Sequence, residues 1–325
     1  MTTFNAMRGL SSRGSLRSAI IGALLALLLA LGGCSAVRLA YNNGPQLAWW
    51  WIDGYFDFSR EQSALVKPAI DQWFDWHRST QLPGYVTLLA GLQAQAVEPL
   101  TADKACAVND QLRERIEPAI DRALELAAEL LPQLTEAQIR HYEQRGAKAI
   151  DEMRDEYLQP DAAERRRLSI KRAIERSEQV YGRLGEAQRK VIAEGVAASP
   201  FDAQAWLQER QRRQRDTATT LRRLLAAKPD RDARLAALRA LVERSAASPD
   251  PAYRDYQRRL VAYNCAFAAQ IHNATTAAQR AEARSRLKGW EDDVRALLAQ
   301  PAPTAAGAAG PQGAQPAAGN GRTQP

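Results

Sequence analysis

Histidine, methionine and cysteine each occur only three times in 325 residues. No Cys-x-x-Cys pair is present, so a thioredoxin-like redox site has no motif, and three cysteines are too few to close a zinc site. His-Glu-x-x-His, Gly-x-Ser-x-Gly and phosphate-loop patterns are absent as well. The sequence therefore offers no recognisable catalytic set and calls for no metal and no cofactor. Strand-like alternation of polar and apolar residues is missing almost everywhere, which points to an all-α, multi-helix array or bundle. No apolar run reaches the ~20 residues that a membrane-spanning helix needs.

What the chain does have starts near its beginning. Arg8, Arg13 and Arg17, with no acidic residue among them, precede an apolar run from Ala19 to Leu31. As a helix this run spans ~20 Å, short of a ~30 Å hydrocarbon core, so it reads as an export signal rather than a permanent span. Leu31-Gly32-Gly33-Cys34 resembles the lipobox of bacterial lipoproteins. That resemblance implies cleavage of a lipoprotein signal peptide, residues 1–33, and acylation of Cys34, whose chains would anchor the protein to membrane lipid. Ser35 follows the cysteine. By the same resemblance it directs the protein to the inner leaflet of the outer membrane, facing the periplasm; the alternative is the periplasmic face of the inner membrane.

Beyond residue 33 the net charge is +4, unevenly spread: −7 over 34–160, +6 over 161–223 and +5 over 224–325. The basic part admits anionic lipid or peptidoglycan as a partner, though an acidic half and a basic half can equally face each other. Export leaves nucleic acid out as a partner. With Cys34 used for lipid, Cys106 and Cys265 remain. In an oxidising compartment a disulfide is the expected state, with two buried free thiols as the alternative.

Residues 34–58 form an aromatic, membrane-proximal segment. Trp49, Trp50 and Trp51 are adjacent and Tyr55 follows one turn later. Neighbours on a helix are ~100° apart, so the three indoles cannot share one face. Either they plug a core on several sides or some of them face a membrane interface, where tryptophan is favoured. Ser59 with Gln62 is a capping box, and the helix it opens contains Pro68, which predicts a kink or a start near Lys67 and an end near Arg78.

Three blocks in this region, Cys34 to Asn43, Trp50-Trp51-Ile-Asp-Gly-Tyr-Phe-Asp-Phe58 and Trp73-Phe-Asp-Trp-His-Arg-Ser-Thr-Gln-Leu-Pro83, recur with a closing set. That set is Tyr263-Asn-Cys265, His272-Asn-Ala-Thr-Thr276 and Leu287-Lys-Gly-Trp-Glu-Asp-Asp293. Together they resemble an uncharacterised family of proteobacterial lipoproteins, domain of unknown function 6279, over roughly 34–298. The resemblance brings no established activity or ligand, and no functional residue beyond the lipidation of Cys34.

A stripe of Leu112, Ile116, Ile120, Leu124, Ala127 and Leu131 marks a long helix from Asp103. Thr135 and Gln138 cap the next, ending near Pro160. Residues 161–197 and 202–227 read as two Arg-rich helices, either solvated or lying on an anionic membrane. Further helices cover 230–246, 253–269 and, after a capping box at Thr276 and Gln279, a last one with Leu287, Trp290, Val294 and Leu297 on one face. The whole of 59–300 reads as a helical domain, either undivided or in two subdomains with a break near 160 or 200. Residues 301–325 are rich in Ala, Gly and Pro and read as a disordered tail.

For chemistry, Asp71 and Asp75 fall on one helix face, and His77 is close by, giving a candidate polar site. His141 is expected at the surface, and His272 at a helix C-terminus that favours imidazolium. The functional expectation is a lipid-anchored scaffold or adaptor with an envelope protein partner. One alternative is a periplasmic chaperone, since Leu134-Thr-Glu-Ala-Gln138 resembles the Leu-Thr-x-x-Gln motif of small stress chaperones. The other is a cell-wall or lipid hydrolase. A chaperone requires a large apolar groove, a hydrolase requires Asp71, Asp75 or His77 converging in a cleft, and a scaffold requires neither.

Overall fold

Short side chains that bond their own backbone punctuate the chain, and the computed structural model, which describes residues 36–300, starts a helix at most of them. The expected signal peptide (1–33), the expected lipidation site Cys34 and the expected tail (301–325) lie outside the described residues. Helices α1 (Ala36–Asn42) and α2 (Gly44–Phe56) lead in. Ser59 and Gln62 form the expected capping box of α3 (Arg60–Trp76), and α4 (Leu82–Gln95) follows. Thr101 caps α5 (Ala102–Leu130), and Thr135 with Gln138 caps α6 (Glu136–Tyr157). Next come α7 (Ala162–Tyr181), α8 (Glu186–Ala198), α9 (Ala203–Ala227) and α10 (Arg231–Ala246). The series closes with α11 (Pro251–Asn273) and α12 (Ala277–Ala299), the latter boxed by Thr276 and Gln279. Among the described residues every regular element is helical.

Three expectations about helix limits are corrected. Of the two readings at Pro68, a kink or a start near Lys67, the start is excluded, because α3 begins at Arg60 and runs through the proline. Proline leaves the carbonyl four residues back without its helical partner, but Ala64 and Pro68 are both exposed, so that carbonyl lies on the solvent side of the helix. The helix also does not stop near Arg78. A π-helical turn, His77–Gln81, carries it directly into α4, whose first turn holds Pro83. Ser79 and Thr80 donate their hydroxyls to the carbonyls of Asp75 and Trp76, supplying the bonds that the widened turn gives up. Third, residues 161–197 form two helices. Gly182 takes φ 72°, a left-handed conformation suited to glycine, and turns the chain between α7 and α8.

Helix α5 is the spine. It touches α3, α10 and α11, while α6 pairs with α9 and α12 returns to pack along α4 and α1. One core joins Ala128, Leu131 and Ile139 to Ala218, Leu221, Leu224, Leu235 and Leu238. A second joins Leu82 and Val86 to Val294 and Leu297. Helices on both sides of residues 160 and 200 share the first core, so it follows neither of those boundaries. Where α8 meets α11 the Phe267 ring packs onto Gly195: a Cβ there would lie 2.0 Å from the ring.

The charge halves do face each other. Arg222 on α9 binds Glu136 and Glu143 on α6, Arg239 on α10 grips Asp121 on α5 through two hydrogen bonds, and Arg172 reaches Glu156. Several arginines of the basic helices are thus committed to internal pairs.

Candidate functional site

The stripe predicted on α5 is used in two ways. Leu131 is buried, and Leu124 and Ala127 pack against the first core. Leu112, Ile116 and Ile120 remain 41%, 48% and 38% exposed. Against the stretch that holds Ala127 and Leu131 lies a cavity of about 580 Å³. Ala48, Trp51, Ile52 and Phe56 of α2 form one wall, and Leu65, Ala69, Ile70 and Trp73 of α3 form another. Ala123, Leu126, Ala127 and Leu130 of α5 line the floor, with Leu221, Leu238 and Leu241 behind. Residues 116, 120, 123 and 127 fall on one helical face, so the exposed ridge runs straight into the cavity floor. Trp51, Leu65 and Ala123 are exposed and form the mouth.

The lining is almost wholly hydrocarbon. Three of its polar side chains are engaged: Gln62 bonds Gln138, the backbone of Gln133 and the Ser59 N–H, Thr217 donates to the Arg213 carbonyl, and the Trp73 indole donates to the Ala119 carbonyl. A close-packed core leaves no concavity of this size, whereas ~300–1,000 Å³ is the ordinary range of small-ligand pockets.

The aromatic block divides. Trp49 is 8% exposed, stacked on Phe58 with Lys67 over its ring, so it is not available to an interface as the sequence allowed. Asp57 takes φ 48° at the end of α2, which turns Phe58 back toward Trp49. Trp50 and Trp51 are 62% and 68% exposed. Tyr55 lies between Trp51 and Tyr142, under Arg145.

Asp71 and Asp75 are exposed, whereas His77 is buried. Both carboxylates lie on the exposed face of α3, where partial burial and then the charge of Asp75 push Asp71 up. His77 is buried, stacked 4.8 Å from Trp73, with its Nδ1 2.9 Å from the Tyr41 hydroxyl. Burial holds this imidazole below its ordinary pKa, and burial likewise pushes Tyr41 up to about 12. The pair is a neutral hydrogen bond inside an aromatic cluster. His141, expected at the surface, is half-buried and meets the Gly54 carbonyl between α2 and α6. His272 is buried between the Tyr181 hydroxyl and the Glu98 carbonyl. Among the described residues no group of His, Cys, Asp and Glu is arranged to hold a metal. Cys106 on α5 and Cys265 on α11 are joined as a disulfide, with Cα atoms 5.3 Å apart.

Residues 54–254 match the family described as Family of unknown function (DUF6279). The chain belongs to that family. The match takes in the walls of the cavity from Phe56 onward, but not Ala48, Trp51 and Ile52. No curated protein and no solved structure matches the chain. Among the described residues no helix is long and apolar enough to cross a membrane.

The sequence located the helices that build the cavity but not the cavity, because its walls come from helices spread between Ala48 and Leu241. The signal that pointed to it was the α5 stripe, which is longer than a single packing partner can cover.

Proposed function

We propose that this is a lipid-anchored protein of the bacterial envelope that binds a long hydrocarbon chain of the acyl type. The reading of a lipoprotein in the outer membrane, facing the periplasm, is supported by Leu31-Gly32-Gly33-Cys34 and by Ser35. The observation that carries the binding role is the apolar cavity of about 580 Å³ with its Gln62, Thr217 and Trp73 side chains already engaged. An extended peptide would bring one N–H and one C=O per residue into a wall with little to offer them, at a cost of roughly 1–3 kcal/mol each. A hydrocarbon chain brings none. The same cavity weighs against a plain scaffold, and the burial of His77 between Trp73 and Tyr41 weighs against a hydrolase that needs it open to substrate.

The test is titration with a fluorescent long-chain fatty acid. It uses the Cys34→Ser chain, so that the protein's own acyl groups cannot compete. Saturable binding with one site per chain is expected, and it is lost in Ala69→Leu/Ala127→Leu, which fills the cavity. Absence of saturable binding to the Cys34→Ser chain, or binding unchanged by filling, overturns the reading.

A second reading, an adaptor for another envelope protein, rests on the exposed ridge of Leu112, Ile116 and Ile120. Crosslinking from Ile116 to a single stoichiometric partner would favour it.

A further inference from the structure

Six of the twelve large apolar side chains left exposed among the described residues lie between residues 37 and 65. Leu39, Leu47, Trp50, Trp51 and Leu65 fall within one short stretch of sequence. On α2, residues 47, 50, 51 and 54 are spaced i, i+3, i+4, i+7 and share one face. On that face Leu47 is 48% exposed, Trp50 62% and Trp51 68%, while Trp49 is turned inward. Leu65 of α3 joins the patch, because it and Trp51 both stand at the mouth of the cavity.

We infer that this face of α2, with Leu65 beside it, seats on a lipid bilayer, so that the acyl-binding cavity opens against the membrane surface. The inference deepens the proposed function and rests on its reading of Cys34 as the anchor.

Three observations select a bilayer as the occupant. The first is reach. Ala36 is the second residue after Cys34, and α1 has seven residues. Two extended residues cover about 7 Å and α1 about 10 Å, so α2 begins within about 20 Å of the anchor. The second is chemistry. Two neighbouring indoles beside a leucine suit the boundary between headgroups and acyl chains, where an indole buries its ring and keeps its N–H wet. The third is continuity. Trp51 belongs to both the exposed face and the cavity rim, so a chain leaving the bilayer would pass from lipid to pocket without crossing water.

Leu47 and Trp50 do not line the cavity, which lets docking and guest binding be separated. The Cys34→Ser chain, residues 34–325, is floated with vesicles of phosphatidylethanolamine and phosphatidylglycerol, and its self-association is measured by sedimentation. The unanchored chain should float with the vesicles. Leu47→Ser/Trp50→Ser should lower the bound fraction about tenfold or more, given the apolar area removed from contact. The same variant should keep its unfolding midpoint and its affinity for the fluorescent fatty acid. Phe201→Ser, which removes an exposed aromatic from the α8–α9 connection, should float like the parent. Docking is overturned if the parent does not float, or if the double variant floats equally well. It is also overturned if the parent is a dimer that Leu47→Ser/Trp50→Ser dissociates, since a second copy would then cover the patch. Loss of fatty-acid binding in the parent would overturn the proposed function while leaving the flotation result to judge docking.

Discussion

The indole N–H of Trp73 donates to the carbonyl oxygen of Ala119, 2.9 Å away, and so ties α3 to α5 beside the cavity. Trp73→Phe keeps an aromatic ring against His77 but removes this bond and leaves a carbonyl short of a partner. A loss of about 1 kcal/mol is expected, read as a lower urea midpoint at an unchanged slope. A slope change would show instead that the variant had altered the compactness of one of the two states.

Two variants of the cavity wall should move stability in opposite directions. Leu126 is 8% exposed, and Leu126→Ala removes packing from a wall that already borders open space. It should cost about 2–3 kcal/mol, the low end for a buried leucine. Ala69→Leu/Ala127→Leu adds methylenes where there is room for them and should stabilise by about 0.5–2 kcal/mol. Thermal melts of the three chains decide it. If the filled variant melts below the parent, the cavity is narrower in solution than 580 Å³.

The bond between Cys106 and Cys265 closes a loop of 159 residues and ties the spine helix α5 to α11. Chain entropy alone assigns such a crosslink about 5 kcal/mol, and measured effects are more often ~2–4 kcal/mol. Cys106→Ala/Cys265→Ala should fall in that lower range by denaturant unfolding. Reducing agent should lower the parent to the level of the double variant and leave the variant where it was. Cys265 is only 6% exposed, so reduction should be slow until the helices open.

The chain's own letters gave away its helix starts more readily than its surfaces. Ser59, Thr101, Thr135 and Thr276 each bond a backbone N–H within three residues, so the evidence for those starts is local. The Gly182 break escaped because it interrupts a charged run with no apolar period to lose, and the buried Leu184 beyond it looks unremarkable in sequence. For the indoles, helical geometry demanded that the three diverge. Which one turns inward depends on Phe58, across the left-handed Asp57, and on Lys67 from the next helix. The α5 stripe was legible as a period, but periodicity does not report that only its second half finds a core. The acidic and basic halves were visible as net charge, and their pairing through Arg222 and Arg239 required the fold.

Glu209 shows how pairing and burial compete, and it gives a pH dependence with a definite sign. The carboxylate is buried and accepts hydrogen bonds from Arg212, Arg213 and the fully buried Ser248. Arg212 goes on to the Arg244 carbonyl, and Arg244 grips Asp216, so one network clamps α9 to the end of α10 and to the loop before α11. Burial alone would raise the carboxyl pKa, but the hydrogen bonds from Arg212, Arg213 and Ser248 outweigh it and hold the group below its ordinary value. A carboxyl depressed in the folded state stabilises fully above the unfolded value of about 4.3 and loses that contribution as pH falls through the lower folded value. Glu209→Gln preserves the shape but sets an amide donor against guanidinium donors, and at pH 7 it should cost about 1.5–3 kcal/mol. Below the folded pKa the parent carboxyl is itself protonated, so the gap between parent and variant should close. Urea midpoints for both chains from pH 7 down to pH 3 test this, and a gap that stays constant across the range would mean the charge of Glu209 contributes nothing to the clamp.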